Sequence, residues 1–571
     1  MNKELVIVDH PLTQLLSLMG INSYVGMTGG GVIHLLKHLN PITNINQPKG
    51  FFTMSEYASG FVPLGYYLAS KKICAAVATT GAATKLLTCG LSDAKLHNIP
   101  AVYIVPTSEK DSWGLNPLQD SSPYGNNILG QLLAELPEST FLLDRDFSPT
   151  EDLPKIYRAL SERQPIVFVL TKYTEQINFD FSMFPQINTP LIDTEIIKIH
   201  QFQSILRGAT FGKRLVILVG EEMNQYENAK ELTTLLSDTL QAETIWSING
   251  ANAVSRNNKY GYGYVLFGGN DKAVDIFNSL GSNDVLLLLG ACSDEYTTNM
   301  DKIAASHTFY LGSNTNKYGL FENSNRHLTE GKYDEIRGHI PTILNHMIQE
   351  AKKIAYRNIP GKQAPKMLNN QPYQSARAGY VDMVALYHKL DESWLPNSIA
   401  FDDVCLAYKD RQYVVQRPND NIEFYSLYRG SAMGGAFGAA VGAKMGAPEK
   451  QVYCFTGDGC FRLFCGSMGE VADFGIVLFV LNNQVLGIVD QGLLKVLPNT
   501  EVSNYHASLR DLDYKKISEG FGWDYLSLDS DLNNFAELEQ AIRTRSTRSL
   551  LVEIPVDPKQ MLGKNQRLAN L

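Results

Sequence analysis

The 571-residue chain carries 50 Lys plus Arg against 59 Asp plus Glu, a formal net charge of −9 at pH 7, with no basic stripe of the kind that nucleic-acid binding requires. Its length exceeds what one core supports, no apolar run approaches a bilayer span, and the opening MNKELVIVDHPLTQLL is too interrupted for a secretory segment, so a multidomain cytoplasmic protein without a membrane partner is expected. Seven cysteines (74, 89, 292, 405, 454, 460 and 465), mostly inside apolar strand-like runs, read as buried thiols of a reducing compartment, and the cluster at 454, 460 and 465 has neither a CxxC pair nor a nearby histidine to make a metal site.

Taken in order, the chain reads as an α/β protein of three domains, each with a central, mainly parallel sheet flanked by helices. In residues 1–185, apolar runs at 73–78, 101–105 and 166–170 alternate with helical stretches. Residues 186–350 repeat that character through LVILVG (215–220), DVLLLLG (284–290) and TFYLG (308–312). From 351 to 378 the periodicity gives way to Pro, Asn, Gln and Lys, which marks a linker. The last domain, 379–571, runs through SIAFDD (398–403), the small-residue segment GSAMGGAFGAAVGAKMGAP (430–448) and a closing strand, LLVEIP (550–555). FAD is not supported, because no flavin-type glycine signature is present. An NAD fingerprint fails at Arg462, where a third glycine would follow Gly457-x-Gly459, and no Walker-type loop is found.

The most informative stretch is Gln451 to Gly492. An apolar run (452–455) breaks at Gly457-Asp458-Gly459, continues through a segment that can form an amphipathic helix, and resumes at 476–481 before Asn482-Asn483, which reads as strand, turn, helix, strand. Gly457 and Gly459 let the backbone approach an anion, and the amides that open the following helix can donate to phosphate oxygens. Asp458 and Asn483 offer hard oxygens to a small divalent cation. Mg²⁺, held by one or two protein groups and completed by phosphate and water, suits that set.

Gly457-Asp458-Gly459, followed after 22 residues by Asn482-Asn483, resembles the diphosphate motif of thiamine diphosphate-dependent enzymes, and NNQVLGIVDQ is similar to its continuation in the acetohydroxyacid (acetolactate) synthase-like branch. GSAMGGAFGAAVGAKM resembles the segment before that turn, and FGWDYLSLDSDLNNFAELEQAIRTRSTRSLLVEIPVDP the closing helix and strand, so the resemblance spans nearly the whole chain. It implies a pyrimidine-binding domain (1–185), a central domain (186–350) and a diphosphate-binding domain (379–571). Thiamine diphosphate and Mg²⁺ are the implied cofactors, and a homodimer or homotetramer with active sites between subunits is the implied assembly.

The same resemblance implies the site residues. Glu56, in FFTMSEYASG, is the carboxylate expected beside the pyrimidine N1′, preceded by Ser55 where the family often has His. Thr28 and Gly29 join it on the cofactor. Met433 is the apolar wedge between the two cofactor rings, with the backbone of Ser431 facing the aminopyrimidine. Asp458, Asn483 and the carbonyl of Val485 are implied Mg²⁺ ligands, while Gly457, Gly459, Cys460, Leu486 and Gly487 cradle the phosphates. The loop IVPTSEKDSWGLNPLQDSS places Gln119 at the family's active-site glutamine.

Departures from the family bear on the substrate. The His-His pair of pyruvate decarboxylase-like enzymes is missing, the branch's tryptophan is replaced by Gly492, and its Ser-Gly-Pro-Gly turn by Thr80-Gly81-Ala82-Ala83. A widened pocket is therefore expected, lined by Thr79, Leu486, Val489, Gly492 and Leu493. His97, in AKLHNIP, stands at a commonly acidic turn position and is not assigned to catalysis. The expected function is decarboxylation of a 2-oxo acid with transfer of the acyl anion equivalent to a carbonyl acceptor. The alternatives are a non-ligating decarboxylase, a 2-hydroxyacyl lyase, or a catalytically retired binding or regulatory relative, against which the intact Glu56, Asp458 and Asn483 argue.

Overall fold

The structure, a computed structural model, describes residues 10–177, 179, 195–314, 318, 324–497, 506–544 and 547–571. The first of its three sheets comprises β1 (Ser23–Gly26), β2 (Gly50–Thr53), β3 (Ala75–Val77), β4 (Val102–Pro106), β5 (Thr140–Leu143) and β6 (Ile166–Leu170), in the order β2-β1-β3-β4-β6-β5. The second comprises β7 (Arg214–Val219), β8 (Glu243–Trp246), β9 (Gly261–Tyr264), β10 (Asp284–Leu289), β11 (His307–Gly312) and β12 (Lys332–Arg337), ordered β12-β11-β10-β7-β8-β9. The third comprises β13 (Ser398–Asp402), β14 (Ile422–Ser426), β15 (Gln451–Gly457), β16 (Ile476–Asn482), β17 (Asp524–Ser527) and β18 (Leu550–Pro555), ordered β14-β13-β15-β16-β18-β17. Every strand pair is parallel, and the first and third sheets share one topology. Strands such as VYIVP, IVFVL and LVILV are buried along their length because helices cover both faces, so they read as continuous apolar runs. Among the described residues no helix is long and apolar enough to cross a membrane.

Helices α1 (Glu56–Ser70) and α2 (Ala82–Leu96) follow β2 and β3, and α3 (Ala407–Val415), α4 (Gly435–Gly446) and α5 (Gly487–Val496) follow β13, β14 and β16. α1 and α4 touch backbone to backbone. A Cβ on Gly65 would stand 1.7 Å from the Ala439 carbonyl oxygen, and one on Gly442 would stand 1.9 Å from that of Val62. Ala58 with Gly438, Val62 with Gly442 and Tyr66 with Gly446 advance together, so the two helices run parallel. Each helix starts at the carboxyl edge of its sheet, so those edges of the first and third sheets face the same side, and one apolar core joins them.

Two expectations need correction. The segment after Gly459 is not a long helix: a single turn, Asp458–Phe461, is followed by short 3₁₀ turns at Cys465–Ser467 and Gly469–Val471. Gly466 and Gly469 weaken helix there, and the chain needs only a compact crossover to reach β16. The cysteines are free, but only Cys74, Cys454 and Cys460 are fully buried, and only Cys454 lies within a strand.

The helix crossing makes a prediction. Gly442→Ala should cost about 3 kcal/mol through overpacking, read as a lower urea midpoint, whereas Gly208→Ala, with no atom within 4 Å of the new methyl, should leave the midpoint unchanged or raise it. Equal midpoints for the two variants would contradict the close approach.

Candidate active site

In the third sheet the chain leaves β13 for β14 on one side and returns through α4 to β15 on the other. Such a switch point opens a crevice at the carboxyl ends of the strands. Gly457-Asp458-Gly459 closes β15 at this crevice, and Asn482-Asn483 closes its neighbour β16, in a register that pairs Gly457 with Leu481. Asp458 is buried; its Oδ1 accepts the Gly459 N–H at 3.0 Å and its Oδ2 the Gln484 N–H at 2.7 Å. Burial nevertheless pushes its carboxyl up to about 6. The two amide hydrogen bonds and the charge of Arg462 offset that burial only in part, as suits a metal-facing carboxylate.

Asn483 Oδ1 accepts the Val485 N–H at 3.0 Å and so turns the chain into α5. Its neighbour Asn482 is instead committed to the scaffold, donating to Glu553 at 2.8 Å. Among the described residues no three His, Cys, Asp or Glu side chains gather as metal ligands. A cation here would take Asp458 as its carboxylate and complete its shell with amide, carbonyl, phosphate and water oxygens, which fits Mg²⁺. Of the amides expected to cradle a diphosphate, that of Gly459 is taken by Asp458 and that of Leu486 by the Ala507 carbonyl at 2.8 Å, which leaves those of Gly457, Cys460 and Gly487 as candidates.

A third turn belongs to the same crevice and carries no glycine to mark it in the sequence: Asp403-Val404-Cys405-Leu406, between β13 and α3. Cys405 Cβ lies 3.4 Å from where a Gly457 side chain would begin, Leu406 Cδ1 lies 3.1 Å from that point on Gly487, and Cys460 Sγ donates to the Val404 carbonyl at 3.2 Å. Asp403 is buried and accepts from the Gly434 N–H and the Thr456 hydroxyl, both at 2.8 Å. Above this crevice, Met433 Cε lies 3.6 Å from where a side chain on Gly459 would begin. Ser431, two residues earlier, has φ +53°.

The remaining sequence-derived residues lie on the first sheet. Thr28 and Gly29 follow β1, Thr79 follows β3, and a Cβ on Gly29 would stand 2.7 Å from Thr79. Thr79 Oγ1 accepts the Gly31 N–H at 3.2 Å, and Thr80 donates to Gln119 Oε1 at 3.0 Å. Glu56 is the first residue of α1, half-buried at the same carboxyl edge. Its neighbours touch the segments that serve the third sheet of the same chain: Ser55 Oγ meets Ser467 Oγ at 2.6 Å, and the Tyr57 hydroxyl donates to the Met433 carbonyl.

Val489, Gly492 and Leu493 lie on α5, with Val489 exposed. The space beside Gly492 is not open, because a Cβ there would meet Leu571 Cδ1 at 3.2 Å. The closing segment binds α5 through Asn565, which donates to Gln491 at 3.0 Å, and Lys495, which donates to the Leu568 carbonyl.

The raised Asp458 carboxyl gives a linkage prediction. Folding raises it from 3.8 to about 6, so the folded state binds the extra proton and stability falls as pH rises through that window. Without Mg²⁺, Asp458→Asn should exceed the parent at pH 7 by on the order of 2 kcal/mol, with the gap gone below pH 4. Urea midpoints at both pH values check this, and a gap of equal size at both would remove the titration as its cause.

The comparisons with known proteins agree with this geometry. The family profile "Thiamine pyrophosphate enzyme, N-terminal TPP binding domain" matches residues 8–124, and the corresponding "C-terminal TPP binding domain" matches 406–554, thiamine pyrophosphate being another name for the diphosphate. The acetolactate synthase isozyme 1 large subunit of Escherichia coli K12 is 20% identical over 96% of this chain and 94% of its own length. A probable acetolactate synthase large subunit of Methanococcus aeolicus is 22% identical over 90% and 86%, and the acetolactate synthase of Mycobacterium avium 22% over 83% and 75%. With both cofactor-binding halves and nearly the whole length matched, the chain belongs to the thiamine pyrophosphate enzyme family, in its acetolactate synthase-like branch.

Proposed function

We propose that the protein decarboxylates a 2-oxo acid and transfers the resulting acyl anion equivalent to an acceptor carbonyl. The observation that carries this reading is the convergence of Asp458, the Asn483 turn and Met433 on one switch-point crevice. Bound thiamine diphosphate would supply the electron sink for the bond-breaking step. The chain's own part is to hold, orient and shield. Asp458, Asn483 and the Val485 carbonyl would hold Mg²⁺; the amides of Gly457, Cys460 and Gly487 would bind phosphate oxygens; Met433 would fix the bend between the rings. Glu56 would share a proton with the pyrimidine N1′, with Thr28 and Gly29 beside it. Thr79 and Gln119 would orient the reacting carbonyls.

The parallel packing of α1 and α4 supports a homodimer. A cofactor that runs from a diphosphate turn to a glutamate needs two facing edges, yet within one chain the first and third edges face the same side. A second copy related by a two-fold axis supplies the opposing edge. Leu115, Leu118 and Tyr124, exposed by 75%, 94% and 79% around Gln119, provide apolar surface for it. The relatives named as acetolactate synthases support ligation over simple release of an aldehyde.

Purified protein with thiamine diphosphate, Mg²⁺ and a panel of 2-oxo acids, with and without aldehyde or ketone acceptors, should release CO₂ and yield ligated products by mass spectrometry. Aldehyde alone would indicate a non-ligating decarboxylase, and no turnover without cofactor heat in calorimetry would end the enzyme reading. Glu56→Gln should lower turnover about a hundredfold or more while still binding the cofactor. Sedimentation should show the active species as a dimer or larger, and an active monomer would refute the shared site.

A further inference from the structure

The middle sheet has a switch point of its own. The chain leaves β7 for β8 on one side and reaches β10 on the other, so a ligand crevice is expected at their carboxyl ends. Glu221 follows β7 there, and Cys292 and Asp294 follow β10; all but Asp294 line the cavity together with His97 and Arg429. What reaches into it is the side chain of Arg429, from the third domain and only 3% exposed. Its guanidinium pairs with Glu221 and donates to Asp294 Oδ2 at 2.9 Å and to the Leu96 carbonyl at 3.0 Å. Burial alone would raise Glu221; Arg429 beside it, helped by His97 and Asn249, holds that carboxyl down at about 2.

The backbone of the same segment is gripped by α2 and the residue after it. The Arg429 N–H donates to His97 Nε2 at 3.2 Å, and the Gly430 N–H donates to Asp93 Oδ1 at 2.7 Å. Since Nε2 accepts, the ring proton sits on Nδ1, which faces Glu221 Oε2 at 3.2 Å. At the far end, Tyr57 bonds the Met433 carbonyl and Asp403 accepts the Gly434 N–H. Between these anchors the chain is left-handed twice, at Ser431 (φ +53°) and Gly434 (φ +86°). Such a conformation at Ser431 persists only where its surroundings impose it.

We propose that the crevice of the middle sheet is a socket for Arg429, and that Arg429, His97 and Asp93 are positioning residues that fix the Ser431–Met433 segment against the cofactor. The word cofactor rests on the function proposed above; the socket stands on the contacts alone. His97, which composition and motif leave without a task, thereby gains one, as the acceptor that ties the first domain to the start of this segment.

The test uses the full-length protein, with Arg429→Met, Arg429→Lys, His97→Leu and His97→Gln. Two quantities are measured: the Kd for thiamine diphosphate with Mg²⁺ by calorimetry, and hydrogen exchange of the 429–434 amides. Arg429→Met and His97→Leu should each raise Kd about tenfold or more and speed exchange at 429–434 while strand 284–289 stays protected. Arg429→Lys should fall between Arg429→Met and the parent. His97→Gln, whose amide oxygen can still accept the Arg429 N–H, should recover most of both. Kd and exchange within twofold of the parent would overturn the proposal. So would damage spread evenly through the molecule with His97→Gln as harmful as His97→Leu. If the parent itself binds no thiamine diphosphate, the proposed function fails, and the exchange comparison alone decides the socket.

Discussion

The contact on which the rest of the molecule depends is the parallel crossing of α1 and α4 at backbone distance. Glycine inside a helix costs roughly 1 kcal/mol relative to alanine, and α4 carries Gly435, Gly438, Gly442 and Gly446 on the face that meets α1. That cost is offset by removing a layer of side chains from between the helices, which lets carbonyl oxygens approach Cα–H groups directly and draws the first and third sheets into one core. Bulky side chains along this seam would push the sheets apart and carry Tyr57 away from Met433.

Charge buried near the site is handled in two different ways. At the end of β13, Asp402 is matched by Arg411, which donates to it at 2.6 Å, whereas the next residue, Asp403, is met by the Thr456 hydroxyl, the Cys460 thiol and backbone amides and is pushed up to about 6 by burial. The first arrangement is a closed pair that locks α3 to its strand. The second is open-ended, like that of Asp458, where Arg462 offsets burial only in part, and both acids face the crevice between β13 and β15. A buried pair adds little net stability, but it strongly penalises any arrangement that separates its members. The same logic lets Glu221 and Asp294 specify where Arg429 must sit.

How much of this is legible in the sequence depends on how local each signal is. The parallel strands are legible because burial on both faces writes a continuous apolar run into consecutive residues, and the Gly457–Gly459 and Asn482–Asn483 turns are legible because glycine and asparagine punctuate strand ends. The helix expected after Gly459 is not found: Phe461, Phe464, Cys465 and Met468 recur at helical spacing, but Gly466 and Gly469 prevent a helix from continuing. Asp403–Leu406 carries no glycine to mark it, and its role comes from neighbours across the sheet. His97 and Arg429 are further out of reach, since 332 positions separate them along the chain. Gly492 shows the limit in the other direction: the lost side chain suggests an opened pocket, but Leu571 approaches from the far end of the sequence to occupy the place.

The shared topology of the first and third sheets gives these positions a common logic. In each sheet the helix that follows the second strand opens at the carboxyl edge, so Glu56 at the start of α1 and Met433 just before α4 occupy equivalent places in two copies of one architecture. One copy presents a carboxylate there and the other a flexible apolar side chain. Packed in parallel within a chain, the two starts lie side by side, joined by the bond from Tyr57 to Met433; turned by a two-fold axis against a second chain, each would confront its opposite number. The middle sheet, with a different strand order, meets both through Arg429 and His97 and lines its own crevice with that contact. An active site divided between two half-sites needs a third element to keep them in register, and a buried guanidinium held by two carboxylates supplies a contact that either forms at one geometry or leaves charge stranded.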